Sequence, residues 1–270
     1  MEPYSVNRGE NCLVLAMPHT GTWLPQDVFD ALNDRGQELS DTDWHINRLY
    51  EDLIPDITIV RANFHRYVID ANRDPSGQSL YPGQTTTDLC PTTDFDGQPI
   101  YREGREPGSA EVRRRQQTFH APYHGAIAAE LVRVKAKHGV AVLYDCHSIR
   151  SRIPFLFDDV LPDFNIGTNQ GVTCAVSMQN EVERICAAAK SYSSILNGRF
   201  KGGWTTRHYG QPGTGVHAIQ MELAQSVYLE TEAAPFAFDA AKAVLLRPHL
   251  RAILETLITL AKAERCARKA

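Results

Sequence analysis

The chain has 270 residues, with 28 Lys and Arg against 32 Asp and Glu, for a formal net charge of −4. At 43% hydrophobic and 22% charged residues it has the composition of an ordinary globular protein, not of a disordered or fibrous one. No clustered basic excess marks a nucleic-acid binder, and no apolar run approaches the ~20 residues that span a bilayer.

Residues 12–17 (CLVLAM) form a continuous apolar run ending at Pro18 and His19, the pattern of a strand buried on both faces. Residues 25–39 and 43–53 read as helices, and 57–62 and 66–70 as short β-branched strands. The stretch 71–108 is rich in Pro, Gly, Thr and Asp and lacks periodicity, as a lid or binding loop would. A long helix is expected over 109–138, with Ser109 as its N-cap, a kink at Pro122 and Gly139 past its end. Residues 140–145 (VAVLYD) give another buried strand, ending before Cys146, His147 and Ser148. A helix over 178–192, a strand over 216–224 and a helix over 235–268, interrupted near Pro248, complete the chain. Buried strands alternating with helices predict an α/β fold, a mainly parallel or mixed sheet with helices on both faces. With no repeat or linker, residues 1–270 read as a single domain. The first residues, MEPYS, lack the regions of a secretory leader, and six cysteines without C-x-x-C spacing read as free thiols. The expectation is a cytoplasmic protein that engages neither nucleic acid nor membrane.

In open α/β sheets, sites form where loops leave the carboxyl ends of strands. His19 in MPHTG and His147 in DCHS occupy two such ends, and neutral imidazoles converging there make good zinc ligands. A third ligand is needed, and DTDWH offers Asp43, with His45 as its competitor. Glu222 lies near the end of a buried strand, on the face shared with Gln220, where a carboxylate is costly unless paired or functional. It is the candidate general base, with a buried ion pair to an arginine as the bland alternative. His120 and His124 in HAPYH have the spacing of a zincin pair, but Ala121 replaces the required Glu and Pro122 distorts the turn. Arg66, Asn72, Arg73, Arg105 and Arg207 surround these motifs on a net acidic chain. Arginines so placed point to a small anionic substrate, because the guanidinium grips carboxylates bidentately. His124, His208 and His217 lie in or beside the same motifs and are secondary candidates with His45.

Taken together, MPHTG, DTDWHINRLYEDL, RYVIDANRDPSG, HAPYHGAIAAELVRVKAKHG, LYDCHSIRSRIP and KGGWTTRHYGQPGTGVHAIQMELAQSVYLE resemble the N-formylglutamate amidohydrolase family over most of the chain. The resemblance implies a zinc-carboxypeptidase-like (phosphorylase/hydrolase-like) fold and a zinc-dependent hydrolase of histidine degradation, which releases formate and glutamate from N-formyl-L-glutamate. It implies that His19, His147 and an acidic residue of DTDWH hold one zinc ion and that Glu222 is the catalytic carboxylate. Asn72 and Arg73 resemble the Asn-Arg pair with which zinc carboxypeptidases hold a substrate carboxylate. Two other readings stand beside this one. The first is a zinc amidase for another N-acyl amino acid or a peptidoglycan-type amide, and the second is a non-catalytic anion-binding relative.

Overall fold

The computed structural model describes residues 1–79, 83 and 86–269. Its strands are β1 (Tyr4–Asn7), β2 (Leu13–Met17), β3 (Thr58–Ala62), β4 (Ala141–Ile149), β5 (Phe164–Gly167), β6 (Ser194–Leu196) and β7 (Val216–Ala224). They form one seven-stranded sheet in the order β1-β3-β2-β4-β7-β5-β6. The central four, β3, β2, β4 and β7, run parallel, while β1 and β5 join antiparallel to β3 and β7. The fold is therefore mixed α/β, as the alternation of buried strands and helices predicts.

The helices are α1 (Gln26–Ala31), α2 (Asp34–Gln37), α3 (Ile46–Tyr50), α4 (Ser109–Arg115), α5 (Ala121–His138), α6 (Val176–Ala188), α7 (Trp204–Tyr209) and α8 (Ala240–Lys269). Successive β4 side chains alternate between two helical layers. Tyr144 reaches Tyr50 of α3, and the next residue, Asp145, reaches Thr206 of α7. Leu143 and Leu15 at the sheet centre, Ile127 of α5 and Leu250 and Leu254 of α8 are all fully buried.

Several elements differ from the sequence expectation, each for a tertiary reason. The predicted helix over 25–39 breaks at Leu32, whose backbone is extended, and restarts where the Asn33 side chain caps Gly36 N–H. The 43–53 helix shortens to Ile46–Tyr50, leaving Asp43 in the turn before it. Residues 66–70 form no strand, because the Arg66 and Asp70 side chains are drawn into a buried ion-pair network instead. Gly108, not Ser109, occupies the cap position of α4. Proline 122 has no N–H for the carbonyl four residues earlier, and the helix widens into a π turn over Gln116–His120 directly before it. At Pro248 the helix is not interrupted: α8 runs through it, held by the buried Leu246, Leu250 and Ile253 around it. Strand β4 outruns its expected end by four residues, because β7 pairs with it as far as Ile149↔Ala224. β1, β5, β6 and α7 had no expected counterpart.

Candidate active site

The extension of β4 brings the polar groups together. Side chains repeat every second residue along a strand, so Asp145 and His147 share a face of β4. The parallel register pairs Asp145 with Gln220 and His147 with Glu222 on β7, which sets four polar side chains on one patch of the sheet. His19 follows β2 on the other side of β4, and its carbonyl accepts Asp43 N–H at 3.0 Å. That bond draws the turn before α3 over the strand ends.

Three buried groups then converge. His147 Nδ1 lies 3.3 Å and His19 Nδ1 3.8 Å from Asp43 Oδ2, with the two rings 5.0 Å apart. The opposite ring nitrogens are occupied: His19 Nε2 faces Asp70 Oδ1 at 2.7 Å, and His147 Nε2 faces Asp145 Oδ2 at 3.1 Å. At His19 the Asp70 carboxylate holds the proton on Nε2 and leaves the Nδ1 lone pair directed at the cluster; His147 Nε2 also lies 3.1 Å from Asn72 Nδ2. His19 Nδ1 is buried without a hydrogen-bond partner among the described residues, which is costly unless something else meets it.

The donor set fits a divalent metal. Ligands on a tetrahedral ion about 2.0–2.1 Å away stand roughly 3.4 Å from one another, and the three ligand atoms here lie within 4.8 Å of each other. Of the two candidates in DTDWH, Asp43 supplies the carboxylate, while the His45 ring turns away to Phe236 O at 2.9 Å. Asp43 Oδ1 accepts from Arg66 Nη2 at 2.6 Å, and Oδ2 from Ser148 N–H at 3.0 Å, so the carboxylate is fixed before any ion arrives.

Electrostatics follow from this crowding. Burial alone would raise the Asp43 and Asp70 carboxyls, but Arg66 with the two histidines at Asp43, and His19 with Arg73 at Asp70, outweigh it and hold both below the usual range. Burial and the neighbouring Arg66 push the His19 imidazole down, favouring the neutral ligand form. Burial likewise works against charge on His147, yet Asp145 and Asp43 hold its pKa well above the ordinary value. A cation bound at Nδ1 would take the place of that proton. Burial pushes Glu222 up to about 8, against the opposing pull of His147.

Beside the cluster lies a cleft enclosing about 620 Å³, including space open to solvent. His19, Arg66, Asn72, Arg73, His147 and Glu222 all line it. Arg73 is fixed by Thr87, Nε to the carbonyl and Nη2 to the hydroxyl, both at 3.0 Å. The side chain of Arg105 is exposed, away from the cleft, and Arg207 Nε donates to Gly202 O at 2.8 Å outside it. The secondary histidines also lie elsewhere: His208 stacks on Trp204, and His217 Nε2 pairs with Glu264 at 2.9 Å on the far side of β7. Sequence reasoning missed four residues here. Arg199 lines the cleft, with Nε donating to Leu156 O at 3.2 Å. Gln220 accepts Gly203 N–H at 2.7 Å and donates to Glu222 Oε2 at 3.2 Å. Asp70 and Asp145 are the carboxylates behind the two histidines. Asp145 and Gln220 carried a local signal, each standing two residues before a named candidate on the same strand face.

A profile for N-formylglutamate amidohydrolase matches residues 11–229. The chain belongs to the N-formylglutamate amidohydrolase family. It is thus an amide hydrolase, and its likeness to known members runs the length of the fold. It is 48% identical to the N-formylglutamate deformylase of Pseudomonas aeruginosa over 95% of this chain and 96% of that one. The N-formylglutamate deformylase of Pseudomonas putida is 44% identical over 94% and 95% of the two chains. The crystal structure of an N-formylglutamate amidohydrolase from Ralstonia eutropha JMP134 superposes with a TM-score of 0.80 at 25% identity, covering 98% of this chain and 100% of that one. Among the described residues, no helix is long and apolar enough to cross a membrane.

Proposed function

We propose that this amidohydrolase cleaves N-formyl-L-glutamate to formate and L-glutamate in histidine degradation, using one zinc ion, with residues 1–270 as a single catalytic domain. The observation that carries the proposal is the convergence of two Nδ1 atoms and a carboxylate oxygen beside a cleft lined by Glu222 and by arginines. The names of the Pseudomonas relatives support the substrate.

His19, Asp43 and His147 would hold the ion, which when bound supplies Lewis-acid polarisation of the substrate carbonyl. Glu222, buried across the cleft, takes a proton from the attacking water, whose oxygen bonds to the formyl carbon. The C–N bond then breaks, and Glu222 returns the proton to the departing amine nitrogen. The buried Arg66 guanidinium faces the same cleft and would stabilise negative charge developing on the carbonyl oxygen. Arg73, with Asn72 and Arg199, would hold the substrate carboxylates. Arg66 is already committed to Asp43, with Asp70 3.9 Å away, which leaves recognition to the less buried arginines at the rim.

The direct test measures formate release from N-formyl-L-glutamate alongside metal content. Chelated protein should lose the activity and one equivalent of zinc should restore it; undiminished turnover in metal-free protein would refute the metal assignment. Arg73→Ala should raise the Michaelis constant for N-formylglutamate by about 10- to 100-fold, the equivalent of a charged hydrogen bond worth roughly 1.5–3 kcal/mol. An uncharged formamide should be almost unaffected. Equal losses on both substrates would remove Arg73 from carboxylate binding.

A further inference from the structure

The zincin-like spacing in HAPYH leaves His120 and His124 without a metal role, yet both are buried, at 2% and 7% exposure. Each side chain reaches backbone in the segment that carries Asn72 and Arg73. His124 Nε2 lies 2.7 Å from Ala71 O, and His120 Nε2 lies 3.1 Å from Arg73 O. A carbonyl only accepts, so both nitrogens carry the proton and donate. The carbonyl between them, on Asn72, meets Trp204 N–H at the start of α7 at 3.4 Å. Three consecutive carbonyls are thus held from two helices, and the Asn72 side chain is fixed as well, its Oδ1 accepting Thr205 N–H at 2.9 Å.

The packing leaves this arrangement little slack. The His120 and His124 rings lie 4.4 Å apart, and Trp204 closes over them at 5.5 and 4.5 Å. The Tyr209 hydroxyl sits 3.2 Å from His124 Nδ1 and 3.0 Å from His124 O, which orients the ring. Beneath the loop, a Cβ on Gly203 would come within 2.2 Å of Asn72 Nδ2, so only glycine admits the Asn72 side chain there. Burial, with His120 alongside, pushes the His124 imidazole down to about 3, keeping it a neutral donor across the physiological range.

We propose that His120 and His124 are positioning residues for substrate recognition: they clamp the carbonyls on either side of Asn72 and so aim Asn72 and Arg73 at a substrate carboxylate. The inference rests on the carboxylate-binding reading above. The same segment touches the cluster, through Asn72 Nδ2 at 3.1 Å from His147 Nε2 and through Asp70 behind His19. The three converging donors and Glu222 are nevertheless carried by the ends of β2, β4 and β7 and the turn before α3, so misdirecting the loop weakens carboxylate binding more than it disturbs the cluster.

The test compares His120→Leu, His124→Leu and His124→Gln in zinc-replete protein. Kinetics are measured on N-formylglutamate and on N-formylbutylamine, which has no carboxylate, and L-glutamate binding is measured by calorimetry. Both Leu variants should weaken N-formylglutamate and L-glutamate binding tenfold or more, with zinc content and N-formylbutylamine turnover within about twofold of wild type. The Gln variant retains an amide donor and should recover most of the loss. Tyr209→Phe, which keeps the ring but frees His124 to rotate, should shift binding in the same direction by less, and it serves where a Leu variant fails to fold. Equal losses on both substrates, or unchanged L-glutamate binding, overturn the inference. If wild-type protein neither binds L-glutamate nor cleaves N-formylglutamate, the substrate reading itself fails and takes this inference with it.

Discussion

Glu222→Gln is expected to lower turnover on N-formylglutamate by about 10²–10⁴-fold, the range associated with loss of a positioned general acid–base group. The amide has nearly the shape of the carboxyl, so the buried site on β7 stays filled. Its oxygen can turn toward Gln220 Nε2, the donor that now meets Glu222 Oε2, so the local hydrogen bond survives. What is lost is the capacity to take a proton from water and return it to the amine. Zinc content should be unchanged, because the three converging donors come from His19, Asp43 and His147. The Michaelis constant should change little, since the arginines at the cleft rim remain. Near-normal turnover would remove Glu222 from the mechanism; loss of zinc would place it among the ligands instead.

His147→Ala is expected to strip the metal. Losing an outer partner of a metal-bound histidine commonly costs about 10–100-fold in affinity, and losing the ligand itself costs more. The variant should therefore purify with a small fraction of the wild-type zinc and correspondingly little activity. It also leaves the buried Asp145 carboxylate, with Thr206 still 3.2 Å away, without its imidazole partner. A stability loss of about 1–3 kcal/mol follows from leaving such a group under-satisfied, read as a lower denaturant midpoint in metal-free protein. Asp145→Asn provides the graded comparison: the ligand stays, its orienting carboxylate goes, and zinc affinity should fall by about 10–100-fold. Full zinc occupancy in His147→Ala would sink the ligand assignment outright.

Much of the cluster was legible because strand patterning exposes it. The apolar run before His19 and the one before His147 announce buried parallel strands, whose carboxyl ends are where α/β proteins place chemistry. The two-residue period puts Glu222 beside Gln220 on one face of β7 without reference to any partner. The arginines were less legible. Five substrate-facing positions were expected; Arg66, Asn72 and Arg73 line the cleft, whereas Arg105 and Arg207 lie outside it, and Arg199 lines it unannounced. An arginine on an irregular segment carries no periodicity, so its direction depends on what packs around the loop. The expected strand over 66–70 shows the same limit, since a β-branched run gives no hint that His19, 51 residues from Asp70, competes for that aspartate.

By itself the sequence determined the layered α/β architecture, the central strands, the chemical types at their ends and, through its motifs, the family. Only the tertiary structure decided which atoms meet. It turned both imidazoles so that Nδ1 faces Asp43, with Asp70 and Asp145 on the opposite nitrogens, and it put Asp43 in the cluster while His45 turns to Phe236. It also gave the histidines of HAPYH a loop to hold in place of a metal. The physical reason is reach: hydrophobic periodicity is a local property of the chain. The His19 ring is turned by Asp70, 51 residues away, and the Asp43 carboxylate is set by Arg66, 23 residues away, contacts that exist only after the fold has brought them together.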